Sequence, residues 1–558
     1  MLIKFATVLA CALLAAATPG PMAASMEKRQ SFPRMFCHFM IGIESDRTSS
    51  ADYDADMIRA KSYGIDAFAL NILITHYSVL FISYDFNWWN TGQGAQIGSH
   101  LAQYAALPAQ LFINNAAFVS SFAGDGVDVN AMRSAAGRAI MFVPNFHPGQ
   151  GNFGLIDGAL NWFPNNGNNK APSGGANISV AAGDSSYQAA LAGKPYLAPA
   201  SAWFSTHYGP EVSYSKNWVF PSDLLWYNRW NDLLKLGPNF IEIVTWNDYG
   251  ESHYVGPLSS KHQDDGGSKW VNDIISPRTQ AWLDMAKPFI TAYKAGATSP
   301  NSFITQDQII YWYRPTLAGI NCDATDTTAN TPANNASGNY FEGRPDGYQT
   351  MQDAIFVVTL LQSAGQLTVT SGGHTQVFNA PAGAASFQVP MFVGQQSFAL
   401  ARNNVNVLAA NSLKDVSTVC PCGLYNFNAY TGSVPAGFVD QMGPDGLASL
   451  VAGLHVQTCQ PSPSLPTSAP PYTGPGGTAT APPTSTSSTP VITPPPTSSS
   501  SSTITSVPTS SPTTTVSTTT IGGSCTITAS EQIRPTNCMA KGCVWAGPPG
   551  TDSPDFCG

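Results

Sequence analysis

The chain predicts an α/β protein: a β/α barrel of the TIM type with an appended β-sandwich, then a disordered Ser/Thr/Pro linker and a small disulfide-rich module. Three observations carry this. Between residues 34 and 296 strand-like and helix-like runs alternate, as they do where a parallel sheet is built through crossover helices. The strands of that region run out into loops rich in Asn, Asp, His and Trp, and a β/α barrel collects its functional groups at the C-terminal ends of its strands. From about 302 to 460 the pattern changes to short alternating runs bounded by Gly, Pro and Asn, the signature of a sandwich.

The elements follow in order. Lys4 and the apolar run Phe5 to Ala17 form a secretory signal too short to span a bilayer. Residues 1–18 are assigned to it. Lys28-Arg29 reads as a dibasic processing site, so 19–29 is a propeptide and 30–300 the barrel. Met35 to Ile41 is an apolar strand, Tyr53 to Tyr63 carries helical spacing, and Ile65 to Asn71 is a second strand. Leu80 to Phe86 is a third, Ala139 to Pro144 a fourth, and Pro195 to Pro199 a weaker fifth. Ser222-Asp223 is expected to cap a helix that runs through Leu234 and ends at Gly237. The buried-type strand Phe240 to Thr245 comes next, then a helix near Trp282 to Ala295.

In the 301–460 region Leu367-Thr368-Val369-Thr370, Ala385 to Val389 and Ser397 to Leu400 alternate with period two. Residues 461–523 are Ser, Thr and Pro with almost no charge, a composition that cannot bury a core and reads as an extended, O-glycosylated stalk. Residues 524–558 hold Cys525, Cys538, Cys543 and Cys557, and a module this small needs its disulfides to fold. A second set, Cys322, Cys420, Cys422 and Cys459, lies in the sandwich region. Each set of four allows three pairings. Cys37, on an apolar strand, reads as a buried thiol. Asn177-Ile178-Ser179 and Asn335-Ala336-Ser337 are glycosylation acceptors.

Only 11% of residues are charged, with a formal net charge of -9. That excludes the basic patch a nucleic-acid partner needs and suits a neutral one. No apolar run beyond the signal reaches transmembrane length, so the expectation is a secreted, extracellular monomer with no membrane partner. The C-terminal cysteines lack the paired spacing of a zinc site. Asp264-Asp265, in a Gly-rich stretch, reads as a solvated loop, and neither metal nor cofactor is expected.

The chemistry concentrates in Trp246-Asn247-Asp248-Tyr249-Gly250-Glu251. Two carboxylates three residues apart, set among aromatic rings where a strand ends, are what glycosidic cleavage needs: one donates a proton, the other activates water or attacks. Glu251 is favoured as acid and Asp248 as base. Asp85, Asn87, Trp88, Asn145, His147, Trp203, His207, Tyr214, Trp246, Asn247 and Tyr249 complete a mouth suited to a hydroxyl-rich ligand, and each also fits a hydrogen-bonded or core position at a strand end. Glu211 is the rival catalytic carboxylate.

Phe36-Cys37-His38-Phe39-Met40-Ile41-Gly42, Asp85 to Trp89, Val143 to Pro148, Pro210 to Trp218 and Trp246 to Ser252 closely resemble fungal glycoside hydrolase family 71, the α-1,3-glucanases or mutanases. The resemblance spans roughly 34–460. It implies a β/α barrel with a β-sandwich, endo-hydrolysis of α-1,3-glucan with inversion, no cofactor, and a catalytic pair matching Asp248 and Glu251. The chain departs from the family at one place. Leu73 to Ser78 is nearly all that joins the second strand to the third, whereas parallel neighbours need a crossover of about a dozen residues. Either the gene model is mis-predicted there or the crossover is truly lost; if lost, a flank of uncovered apolar strand surface is expected, with an inactive secreted glucan-binding protein as the alternative function. Near the C-terminus, Cys538 to Trp545 and Pro554 to Cys557 resemble a trefoil domain, with too few cysteines.

Overall fold

The computed structural model describes residues 34–43, 50–71, 79–162, 164, 179–208, 216–257, 281–326 and 343–435. The signal, propeptide, linker, C-terminal module, Asn177, Asn335, Glu211, Tyr214, Asp264 and Asp265 lie outside the described residues.

The first region contains β1 (Arg34–Phe39), α1 (Ala51–Ser62), β2 (Ala67–Asn71), β3 (Leu80–Asp85), α2 (Gly94–Tyr104), β4 (Phe112–Ile113), β5 (Ala116–Phe122), α3 (Val129–Ala136), β6 (Ile140–Pro144), β7 (Ala159–Leu160), α4 (Val180–Leu191), β8 (Tyr196–Ala200), β9 (Ser205–Tyr208), β10 (Lys216–Val219), α5 (Leu225–Leu236), β11 (Phe240–Ile243) and α6 (Ala281–Lys294). One curled sheet runs β6-β5-β3-β2-β1-β11-β8-β7, parallel throughout, with β4 added antiparallel to β5. The two end strands meet without a ladder between them. Three hydrogen bonds tie them instead: Asp157 N–H to the Phe142 carbonyl at 3.0 Å, Phe142 N–H to the Asp157 carboxylate at 2.7 Å, and the Asn145 amide to the Leu160 carbonyl at 3.2 Å.

Strands of a curled parallel sheet bury both faces, so they read as continuous apolar runs. In β1, Met35, Cys37 and Phe39 share a cluster with the helices, while Phe36 joins the opposite one. There the Phe36 ring meets Phe81 at 4.9 Å, Phe118 at 5.4 Å and Phe240 at 5.6 Å. Farther along the same face His38 Nδ1 sits 2.8 Å from Glu242 Oε1, both fully buried. Burial, and then the Glu242 charge, push the Cys37 thiol well above its ordinary range, which makes it the inert thiol its strand position implied.

β2 and β3 are parallel neighbours, with Phe68 beside Leu80 and Asn71 beside Ser83; the joining residues 72–78 are outside the described set. The expected uncovered flank is not present. Phe68 (2%), Leu70 (7%), Leu80 (5%) and Ile82 (6%) are buried in one cluster with Ala60 of α1, Tyr63 at its end, and Ile97 and Leu101 of α2. The register also sets Leu80 beside Phe68, three residues back from Asn71, a retreat of about 10 Å at 3.3 Å per residue.

Two strands and one helix cap also depart from the sequence reading. β5 and β7 were not foreseen. β5 lies between the strands read as third and fourth, which are therefore not neighbours; its Ser120 and Ser121 interrupt the apolar pattern but are buried and bonded to the Val143 and Ala123 carbonyls. α5 begins at Leu225 with no side-chain cap, so Ser222-Asp223 does not cap it, although Gly237 (φ 56°) does end it. Asp223 is used differently, its carbonyl accepting the Trp312 indole N–H at 2.7 Å.

α2 and α3 approach closely because Gly98 has no side chain. A Cβ there would stand 2.1 Å from the Met132 carbonyl oxygen. Gly98→Ala is therefore expected to cost at least the ~1–3 kcal/mol of an overpacked core, read as a lower urea midpoint at unchanged slope.

The second region is a pair of four-stranded antiparallel sheets. β12 (Gln308–Tyr313), β13 (Ala354–Leu361), β14 (Gly365–Ser371), β15 (His374–Ala380), β16 (Gly383–Pro390), β17 (Gln396–Arg402), β18 (Val405–Asn411) and β19 (Tyr430–Val434) arrange as β16-β13-β12-β19 and β15-β14-β17-β18. Tyr311 stacks on Phe398 at 3.9 Å between them. The other face of the first sheet lies on α6, with Trp312 at 5.0 Å from Trp282. Every residue of β13 is consequently buried. Of the possible cysteine pairings, Cys322–Cys420 is formed.

Candidate active site

The loop that carries Asp248 and Glu251 grows out of β11. Val244 N–H continues the ladder to the Ala200 carbonyl at 2.9 Å, and Trp246 N–H to the His38 carbonyl at 2.7 Å. The chain then folds back on itself. Thr245 Oγ1 donates to the His253 carbonyl at 2.6 Å and accepts the Asp248 N–H at 2.8 Å. Asp248 Oδ1 accepts the Glu251 N–H at 3.3 Å. The Glu251 carbonyl accepts Ser205 N–H at 2.9 Å, and Gly256 N–H closes the loop on the Trp246 carbonyl at 2.8 Å. Gly256 is required there, since a Cβ would lie 2.6 Å from that carbonyl and 2.7 Å from the indole.

Asp248 is partly buried. Glu251 is 7% exposed, with Oε2 3.8 Å from His253 Nδ1. Asp85, at the end of β3, is 5% exposed. Its Oδ1 accepts the Asn87 N–H at 2.8 Å and Oδ2 the Asn71 amide at 3.4 Å. Burial raises the Asp85 carboxyl above its ordinary range; the Asn87 and Asn71 bonds and the nearby His38 oppose that rise. Asn87 is exposed, Trp88 is 55% exposed, and the His147 side chain is 32% exposed.

The other expected contacts take different positions. Trp246, Asn247 and Tyr249 have no exposed surface. Asn247 clasps the residue just after β1, accepting Met40 N–H at 2.8 Å and donating to the Met40 carbonyl at 3.3 Å. Tyr249 donates to the Pro257 carbonyl at 2.8 Å, and the Trp246 ring meets Phe68 at 5.3 Å. These three anchor the loop through buried side chains. Trp203, 2% exposed, donates to the Phe427 carbonyl at 2.9 Å. His207 is enclosed between Asn217 Oδ1 at 2.6 Å and Asp326 Oδ2 at 2.7 Å. Asn145 ties the sheet ends, reaching Leu160, Tyr187 and the Ala123 N–H. All six were expected at a sugar, and a closed core holds them instead.

One residue bonded to His147 was missed. Asp125 accepts the His147 N–H at 2.8 Å and approaches His147 Nδ1 at 2.5 Å. Its only signal was its place in Gly124-Asp125-Gly126, a turn that needs two positive φ angles, 101° and 86°. Among the described residues no group of three or more His, Cys, Asp or Glu side chains could hold a metal ion, and no helix is long and apolar enough to cross a membrane.

Residues 33–443 match the sequence profile of glycosyl hydrolase family 71. A protein named mutanase from Penicillium rubens is 37% identical over 449 residues, 76% of this chain and 94% of the relative. A glucan endo-1,3-alpha-glucosidase from Schizosaccharomyces pombe is 33% identical over 432 residues, 71% of this chain and 93% of the relative. An ascus wall endo-1,3-alpha-glucanase from the same organism is 28% identical over 447 residues, 71% and 95%.

Proposed function

The chain belongs to glycosyl hydrolase family 71, and from that premise we propose that it is a glucan endo-1,3-α-glucosidase, cleaving α-1,3-glucan within the chain. The observation that carries the reading is the loop after β11, where the Thr245 hydroxyl holds Asp248 and Asp248 Oδ1 accepts the Glu251 N–H, so that two carboxylates stand together at one strand end. The curled sheet, its end strands tied through Asp157 and Asn145, is read as a β/α barrel of the TIM type, with the two antiparallel sheets as its β-sandwich.

Hydrolysis proceeds with inversion. One carboxylic acid protonates the glycosidic oxygen while a carboxylate on the opposite face of the sugar takes a proton from the attacking water. Asp248, the shorter and less enclosed side chain, serves as base. Glu251, the longer and more enclosed side chain, serves as acid. Asp85, Asn87, Trp88 and His147 bind the glucan at the mouth, where an exposed indole face suits a sugar ring and the amide and imidazole suit its hydroxyls. The substrate is neutral, in keeping with the low charge of the chain. The enzyme is read as secreted and extracellular, on its signal, and as a monomer, with the 461–523 stalk carrying the C-terminal module.

Two measurements test this. Incubation with α-1,3-glucan is expected to release reducing sugar, and proton NMR of the earliest products to show the β-anomer. An early α-anomer would overturn inversion. Retention on the insoluble glucan without any release would make the chain a glucan-binding protein instead.

A further inference from the structure

We propose that Asp125 is a positioning residue for this reaction: it fixes the His147 imidazole so that Nε2 meets a hydroxyl of the bound glucan. The inference rests on the glucanase reading above. The geometry is that of one carboxylate gripping one residue twice. Oδ1 takes the His147 backbone N–H at 2.8 Å, and Oδ2 lies 2.5 Å from Nδ1 of the same residue. The first bond sets where the residue sits. The second sets the rotation of its ring and keeps the proton on Nδ1, as a carboxylate does for an imidazole that must present its other nitrogen. A loop tie alone would need only the first. Nε2 is then the ring atom on the side away from Asp125, in a side chain one-third exposed.

The grip is built into the surrounding chain. Val127 N–H closes the turn on the Gly124 carbonyl at 3.1 Å. Ala123 N–H bonds Asn145 Oδ1 at 3.2 Å, joining the Asp125 loop to the end of the strand that leads to His147. Gln150 and Gly151 N–H both return to the His147 carbonyl at 3.0 Å. Gly151 leaves room for the carboxylate, since a Cβ there would lie 2.6 Å from Asp125 Oδ1. Gly124 faces the Phe86 ring, where a Cβ would come within 2.4 Å, so the turn is seated on the segment that leads from Asp85 to Trp88.

The test is a double-mutant cycle on the full chain, with kcat and KM measured on a soluble α-1,3-gluco-oligosaccharide and thermal unfolding recorded for each variant. Asp125→Asn is expected to lower kcat/KM about ten- to a hundredfold, the range of a hydrogen bond to a charged group, and His147→Gln by a similar factor. The double variant should be no slower than His147→Gln alone. Losses that multiply, or an Asp125→Asn rate within about twofold of the wild type, inside the scatter of such cycles, would overturn the proposal. Long-range proton–nitrogen NMR of the His147 ring, identified by its loss in His147→Gln, decides the matter independently of turnover. A fixed Nδ1–H tautomer that is lost in Asp125→Asn supports the grip, and a ring spectrum unchanged by the substitution sinks it. Failure of the wild-type enzyme to release sugar would remove the glucanase reading while leaving the ring measurement to judge Asp125.

Discussion

Asp248→Asn and Glu251→Gln are each expected to reduce release of sugar from α-1,3-glucan by several orders of magnitude while the protein stays folded. Each swap preserves size and hydrogen bonding: an amide oxygen at 248 still accepts the Glu251 N–H, and the backbone bonds that close the loop are untouched. What is lost is proton transfer, worth about 10²–10⁴-fold for each general acid or base step, together with a negative charge beside the cationic transition state. Thermal unfolding separates this from a folding defect. A variant that melts like the wild type and keeps more than about a tenth of its rate would lie far outside that range and would remove its residue from the catalytic pair.

Asp184→Ala is expected to produce a large loss of stability. Arg229 of α5 is 2% exposed, and its guanidinium makes two bonds to Asp184 of α4, one of them from Nη2 at 2.9 Å. Its Nε donates to the Pro199 carbonyl in β8 at 2.8 Å, and the Tyr196 hydroxyl donates to the same carboxylate. One buried pair therefore joins two helices to the strand between them. Removing only the carboxylate leaves a guanidinium enclosed without its counter-charge, which typically costs about 3–5 kcal/mol against a whole-domain stability of about 5–15 kcal/mol. The thermal midpoint should fall clearly below that of Gly98→Ala. A midpoint equal to the wild type would mean that Arg229 finds another partner or reaches water.

Much of the fold was legible because strand and helix differ in local period. The strands of β1, β2, β3, β6, β8 and β11 and the helices α1, α5 and α6 could be read within a few residues of their ends. β5 could not, because Ser120 and Ser121 look like loop residues until the Val143 and Ala123 carbonyls that bond them are in place. β7 has two residues and no period to detect. The fully buried β12 and β13 escaped an alternation search because the first sheet of the sandwich is covered on both sides, by the second sheet and by α6. The short link after Asn71 was read as a lost crossover that would bare the sheet. Length alone could not reveal that α1 and α2 share a buried cluster with those strands.

By itself, the sequence determined the class of protein, the order of its main elements and the two carboxylates of the loop after β11. These follow from composition, periodicity and motif, all of which are local. Only the tertiary structure decided which of the polar and aromatic side chains at the strand ends stay exposed. Trp88 and Trp246 are alike as residues, yet one is 55% exposed and the other fully buried. His147 and His207 are alike too, yet one lies part-exposed against Asp125 while the other is sealed between Asn217 and Asp326. The reason is physical. A side chain's access to a ligand depends on which distant segments pack over it, and its hydrogen-bond partner on which distant backbone comes within about 3 Å. The pairing of Asp125 with His147, 22 residues apart, exists only once β5 and β6 lie side by side.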